Sequence, residues 1–393
     1  MKILLISTLY SPYEIGGAER STRLIAQGYR SMGYDVEILT TSNTNEVRFV
    51  DGIKVHYLKF LHIFWRYESK GVGAIKKVLW RILEPINILN IPRLRKVLKD
   101  ISPAVIHTNN IAGIGPVVWR VSKRMNIRVI HTARDYYLLC AKSGMYRKGC
   151  ACSKQCMLCS LYTLPYRSLS GEVDAFVGVS SFVKDIHLKS GYFQNANFST
   201  HINNIFKGTQ SQLSLNNSQS STLVIGCIGY IRETKGINQL IDALDFALDI
   251  KLVIAGSIGK DDYSNLFLDK IKGNRKIDYL GHVDPNEFYP KIQFLIHPAV
   301  WHEPFPRVLI EAFSYGIPVI AGSTGGTKEA IEGLSTGFVY TSMIEINGIL
   351  NQILKGKVPI DPMKENCKKY AERNFTSEVI CNKYLALINT ISD

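Results

Sequence analysis

Short runs rich in β-branched and aliphatic residues, each followed by a stretch of helical periodicity, recur along the whole chain, and that alternation constrains the fold most. In the first half the runs are Lys2–Ser7, Asp35–Thr40, Val55–Leu58, Ala104–Thr108, Arg128–Thr132 and Ala175–Val179. A polar, aperiodic stretch, 207–221, then interrupts the pattern and reads as a linker or a long surface loop. The runs resume at Leu223–Gly226 and continue with Lys251–Ala255, Ile277–Leu280, Phe294–His297, Pro318–Ala321 and Gly337–Val339. Strands separated by helices build parallel sheets, so the chain is expected to form an α/β protein of two Rossmann-like units, 1–206 and 222–374, facing across a cleft. With 393 residues, 46% of them hydrophobic, it can bury two cores.

The apolar opening Met1–Ile6 is broken by Ser7, Tyr10, Pro12 and Glu14, so it reads as a buried first strand and not as a leader. No run approaches the roughly 20 apolar residues of a membrane span. Charge is divided unevenly: residues 1–206 hold 28 Lys and Arg against 13 Asp and Glu, whereas the remainder holds 19 against 20. An anionic partner, whether nucleic acid, membrane face or phosphorylated substrate, would therefore meet the first half.

Chemistry concentrates in the second half. "GYIRETKG", Gly229–Gly236, follows a strand and precedes a helix, where glycines let the backbone approach a diphosphate and Arg232 and Lys235 supply charge; a plain strand-turn-helix with solvated bases is the alternative. In "LGHVDPNEF", His282 and Val283 flank open main chain against which a nucleobase could lie. In "EPFPRVLIE", Pro304 and Pro306 forbid a regular helix around Glu303 and permit one after it. Glu303 is thus expected on a loop at a helix entrance, with Glu311 projecting from the helix and free backbone amides between them. "GSTGGTKEAI" places Gly325, Gly326 and Thr327 before another helix.

"GYIRETKG", "EPFPRVLIEAFSYGIPVIAG" and "GGTKEAI", in that order, together with "GGAER" (Gly16–Arg20) and "HTARDYYLLC" (His131–Cys140), resemble the family-4 retaining glycosyltransferases, whose fold is GT-B. The resemblance implies a donor domain over 222–374, an acceptor domain over 1–206 and a terminal helix, about 375–393, that crosses back to the first domain. It assigns Glu303 to the donor sugar's hydroxyls and Glu311 to the ribose, whose vicinal hydroxyls suit an acceptor-only carboxylate. Amides of Phe305, Arg307 and Val308 would cradle sugar and phosphate, with Gly16, Gly17 and Tyr230 also on the donor side. Lys235 and Arg232 would neutralise the departing diphosphate. Glu19, His131, Arg134 and Asp135 fall on the acceptor or sugar side.

Two positions depart from the family: Tyr230 stands where it usually carries Arg, and Arg134 where it often carries the His of His-Asp-Tyr, so Arg134 could meet a phosphate or an acidic sugar. The implied reaction is metal-independent transfer of a hexose-type sugar from a nucleotide-diphosphate donor, with retention and with the departing phosphate taking the acceptor's proton. The acceptor implied is a glycan, polyprenyl-linked as in similar enzymes of surface-polysaccharide or lipopolysaccharide assembly.

Cys150, Cys152, Cys156 and Cys159 have a spacing that suits a structural zinc or iron-sulfur cage; idle thiols in a loop are the alternative. Ile75, Val78, Leu79, Ile82 and Leu83 recur at helical spacing, leaving Lys76, Lys77, Trp80 and Arg81 on the remaining face. Such a helix either lies on an anionic membrane, making the protein peripheral at the cytoplasmic face, or packs its apolar stripe into the core. Rival functions are a nucleotide-sugar epimerase, which lacks an evident base, and an inactive nucleotide-binding scaffold. Nucleic-acid binding rests on charge alone, and a dehydrogenase would need a G-x-G-x-x-G after the first strand.

Overall fold

The computed structural model describes residues 1–69, 71–206 and 222–392. The expected linker 207–221 lies outside the described residues. The chain divides into two α/β units. Unit 1 comprises Met1–Met145, Ser153–Ile205 and the chain from Ser377 onward; unit 2 comprises Tyr146–Cys152 and Phe206–Thr376.

The sheet of unit 1 runs β10-β9-β6-β5-β1-β2-β4-β3. Its strands are β1 (Lys2–Ser7), β2 (Asp35–Thr41), β3 (Glu46–Val50), β4 (Ile53–Leu58), β5 (Val105–Thr108), β6 (Arg128–Ala133), β9 (Ala175–Gly178) and β10 (Phe198–His201). All pairings are parallel except β3 on β4. The sequence pattern missed β3 because Glu46 and Arg48 interrupt it and its side chains are largely exposed; β10 is likewise a mostly exposed edge strand. Helix Ser377–Ser392 closes this unit against helix Gly17–Ser31. Their approach needs a glycine: a Cβ on Gly28 would stand 2.4 Å from Cys381 Sγ. Beneath them His107 hydrogen-bonds Tyr29 and Thr132, and Thr132 donates to Tyr384, so the returning helix is tied to the sheet by polar as well as apolar contacts.

Unit 2 holds a fully parallel sheet, β13-β12-β11-β14-β15-β16. These strands are β11 (Leu223–Ile228), β12 (Ile250–Ala255), β13 (Ile277–Tyr279), β14 (Phe294–His297), β15 (Val319–Gly322) and β16 (Gly337–Tyr340). A hairpin of β7 (Tyr146–Arg147) and β8 (Cys150–Ala151), which the sequence pattern did not reveal, groups with this unit. Chain order reverses between β11 and β14, and at such a switch point loops leave the carboxyl ends of neighbouring strands in opposite directions, opening a crevice.

Candidate active site

The loops at that switch point in unit 2 carry the motifs singled out in the sequence. The loop after β11 turns through a short 3-10 segment, Glu233–Lys235, and ends on Gly236 at φ +68°. A Cβ there would lie 2.0 Å from the carbonyl oxygen of Pro298, so only glycine lets this loop lie against the one after β14. The loop after β14 runs through Trp301 and Glu303 into helix Arg307–Ser314, with Pro306 as its N-cap. The loop after β15 supports it from behind: Gly326 N–H donates to the Glu303 carbonyl, 2.8 Å, and Gly325, at φ +59°, approaches too closely for any Cβ.

These loops converge on one carboxylate. Lys235 Nζ lies 3.0 Å from Glu303 Oε1 and 2.9 Å from Oε2, and Trp301 Nε1 donates to Oε2 at 2.8 Å. His297, at the end of β14, brings Nε2 to 3.6 Å from the same oxygen. Burial alone would raise the Glu303 pKa; the Lys235 ammonium and the His297 contact outweigh it and hold the group well below the usual carboxylate range. Burial keeps His297 neutral, below its ordinary value. Neither Trp301 nor His297 was singled out in the sequence; the only local hint is an aromatic and a histidine shortly before the glutamate.

One helical turn into the next element, Arg307 Nη2 lies 3.6 Å from Glu311 Oε1, and Tyr289, stacked on Tyr315, sits beside the same carboxylate. Phe305 is buried against Phe375; Val308 and Arg307 are half-buried at the amide-bearing start of the helix. Tyr230, Arg232 and His282 are exposed, and Val283 is half-buried.

Unit 1 distributes its candidates differently. Gly16 and Gly17 open helix Gly17–Ser31, and buried Glu19 reaches back to accept the Gly16 N–H at 3.0 Å, closing the helix start. His131 is buried, hydrogen-bonded to Thr108 and stacked on Phe193, and lines a small cavity with Arg134 and Asp135. Arg134 Nε and Nη1 donate to Asn109 and Asn204 at 2.9 and 2.7 Å, and no carboxylate pairs with it among the described residues. Asp135 accepts the Tyr137 N–H, and burial raises its pKa.

The cysteine cage is not formed. Cys150 lies on the β7–β8 hairpin and Cys152 just after it, whereas Cys156 caps and Cys159 lies within a separate helix, Met157–Tyr162. Among the described residues no three His, Cys, Asp or Glu side chains converge as metal ligands.

The family described as "Glycosyl transferases group 1" matches residues 212–374, and "Glycosyl transferase 4-like domain" matches residues 16–197. This chain is a glycosyltransferase of the GT-B fold. It is similar to a 42.6 kDa protein of the cps region of Klebsiella pneumoniae, 30% identical over 351 residues that span 89% of this chain and 92% of that one. The capsular polysaccharide biosynthesis glycosyltransferase CapM of Staphylococcus aureus is 26% identical over 44% of this chain and 47% of its own. Anabaena HepE, solved in complex with UDP and glucose, superposes with a TM-score of 0.71 at 18% identity, covering 99% of this chain and 100% of its own.

In the glycosyltransferase the core-packed reading of helix Ala74–Leu83 does not hold. Its apolar row does not enter the core: Ile75 is 78% exposed, and Val78, Leu79, Ile82 and Leu83 are about half exposed. Trp80 and Arg81, expected on the polar face with Lys76 and Lys77, are buried instead. Arg81 stacks over the Tyr137 ring at 3.5 Å and donates to the Tyr137 carbonyl, while Trp80 packs on Phe64. Next to it Glu84 accepts the Gly113 N–H at 2.7 Å and the hydroxyls of Tyr137 and Tyr166. Cation-π and charge-assisted contacts thus decide which side of this helix turns inward. Among the described residues no helix is long and apolar enough to cross a membrane.

Proposed function

We propose that this glycosyltransferase moves a hexose-type sugar from a nucleoside-diphosphate donor, with retained anomeric configuration, to a lipid-linked glycan acceptor in surface-polysaccharide assembly. The observation that carries the reading is the Glu303 cluster beside the amide-bearing start of helix Arg307–Ser314, with Glu311 on that helix. Glu311 takes the ribose hydroxyls and Glu303 the hydroxyls of the transferred sugar. Lys235, paired with Glu303, turns to the diphosphate as charge builds on the leaving group, assisted by exposed Arg232 and by the amide-bearing start of helix Arg307–Ser314. These cations supply the stabilisation that a metal would otherwise give. The acceptor oxygen attacks on the face the diphosphate leaves, and the diphosphate takes its proton, so no carboxylate nucleophile is required.

A uridine donor is favoured by the likeness to HepE, which was solved with UDP and glucose. Polysaccharide assembly is favoured by the capsular role that the name of CapM records and by the cps region in which the Klebsiella relative is placed. The outward apolar row of Ala74–Leu83, with Lys76 and Lys77 beside it, supports action at the anionic cytoplasmic face of a membrane, where a polyprenyl-linked acceptor resides. In unit 1 Arg134, lacking a carboxylate partner among the described residues, and Asp135 are the groups assigned to the acceptor or sugar.

The test is an incubation of purified protein with labelled UDP-hexoses and membranes bearing lipid-linked glycans, with the product's anomeric configuration read by NMR. Label should pass to the lipid fraction with the donor's configuration, persist in EDTA and vanish in Glu303→Gln. An inverted product, or transfer that EDTA abolishes, contradicts the mechanism.

A further inference from the structure

We propose that an apolar groove in unit 1, beside helix Ala74–Leu83, binds the isoprenoid tail of a phosphate-headed lipid acceptor as a discrete ligand, an inference that rests on the lipid-linked acceptor reading. The groove has a volume of about 570 Å³ and is walled by Leu61, Ile63, Trp80, Leu83, Ile86 and Leu89. Five of these six are at least 41% exposed, a concentration of open aliphatic surface that water disfavours.

The groove is preformed. Asn90 Oδ1 accepts the Leu61 N–H at 2.8 Å and Asn90 Nδ2 donates to the Leu61 carbonyl at 3.3 Å, tying one wall to the other. Rigid walls reduce the ordering cost of binding a flexible chain. Its one carboxylate, Glu84, is already occupied by the Gly113 amide and the Tyr137 and Tyr166 hydroxyls, so its charge is not offered to the occupant.

Charge selects the occupant. The lining holds no Lys or Arg, but Lys59, Lys76, Lys77 and Arg93 are exposed on the segments that carry its walls. A hydrocarbon with an anionic head fits both the apolar walls and this surround. A second copy of the chain would set the same positive stretch against itself, and a peptide would find few hydrogen-bonding partners along aliphatic walls. The groove also borders the acceptor-side motif: Glu84 holds Tyr137, whose amide donates to Asp135 at 2.8 Å. A tail in the groove thus leaves its phosphate head on the side of unit 1 that carries Asp135 and Arg134.

Titration calorimetry with farnesyl phosphate, below its micelle concentration and without a bilayer, tests this directly. Wild-type protein should bind saturably, and Leu83→Asp or Leu89→Asp, both at exposed positions, should each weaken binding by about tenfold or more, because an ion in the groove must be desolvated. Leu158→Asp, on the exposed face of helix Met157–Tyr162 and outside the groove, should leave it unchanged. Absence of saturable binding, or equal loss in Leu158→Asp, overturns the proposal. Equal affinity for n-dodecyl phosphate overturns the isoprenoid assignment in favour of a phospholipid chain. Partition onto anionic vesicles is read in parallel: vesicle binding without farnesyl phosphate binding removes the groove and keeps the membrane reading, and the reverse removes the membrane reading alone.

Discussion

Lys235 Nζ sits within 3.0 Å of both carboxylate oxygens of Glu303, so the cation proposed for the leaving group and the carboxylate proposed for the sugar are paired with each other. The Lys235 ammonium keeps the buried Glu303 carboxylate charged. Lys235→Met should therefore leave an uncompensated carboxylate and destabilise unit 2 by about 3 kcal/mol, and adding Glu303→Gln should recover much of that loss. Urea unfolding of the single and double variants measures it; a double variant no more stable than Lys235→Met would show that the pair is not coupled.

Trp301 reaches Glu303 through a single indole N–H. Trp301→Phe keeps the ring's apolar surface and removes that donor, so turnover should fall by roughly tenfold, the kinetic equivalent of one charge-assisted hydrogen bond, with nucleotide affinity little altered. An equal fall in affinity for UDP would place Trp301 in binding and not in orienting Glu303.

The two faces of helix Ala74–Leu83 should separate in experiment. Ile75→Asp and Leu79→Asp, at exposed positions, should each lower partition onto anionic vesicles by about tenfold without altering stability. Arg81→Gln should do the opposite, destabilising unit 1 by about 2–4 kcal/mol through loss of its stack on Tyr137 and of its bonds to carbonyls. Vesicle flotation and chemical unfolding read the two outcomes; partition lost in Arg81→Gln alone would contradict the assignment of faces.

How far the sequence reaches depends on what each contact is made of. The six strands of the second sheet, six of the eight in the first and the position of Glu303 at a helix entrance were legible, because aliphatic runs and the Pro304 and Pro306 ring constraints act locally. The company of Glu303 was not, since Lys235, His297 and Trp301 meet it only when separate loops leave one edge of the sheet. Helical spacing correctly grouped Ile75, Val78, Leu79, Ile82 and Leu83 on one face, yet it cannot say which face turns inward. That was decided by Tyr137 and Tyr166, remote in sequence, which receive Arg81. The cysteine spacing permitted convergence but did not compel it, because a hairpin and a helix carry the thiols on separate elements.

Unit 1 should be acid-sensitive through its buried histidines. Burial lowers the pKa of His107 to about 3 and of His187 to about 4, against roughly 6.5 in an unfolded chain. Protons therefore bind the unfolded state first as pH falls: stability is complete above about pH 6.5 and declines continuously towards pH 4 and 3. At pH 5.5 the two together should lower it by about 3 kcal/mol relative to pH 7.5. Urea midpoints at the two pH values check this, and replacing His187 by a non-titrating residue should flatten the dependence.

The central claim is a nucleotide-sugar site built on the second sheet, and calorimetric titration of UDP into wild-type and Glu311→Ala protein tests it most directly. The account predicts saturable binding in the wild type that weakens by about tenfold or more in Glu311→Ala, since the ribose hydroxyls lose their charged acceptor. Undiminished affinity in Glu311→Ala, or no binding of UDP or any other nucleoside diphosphate by the wild type, would contradict it.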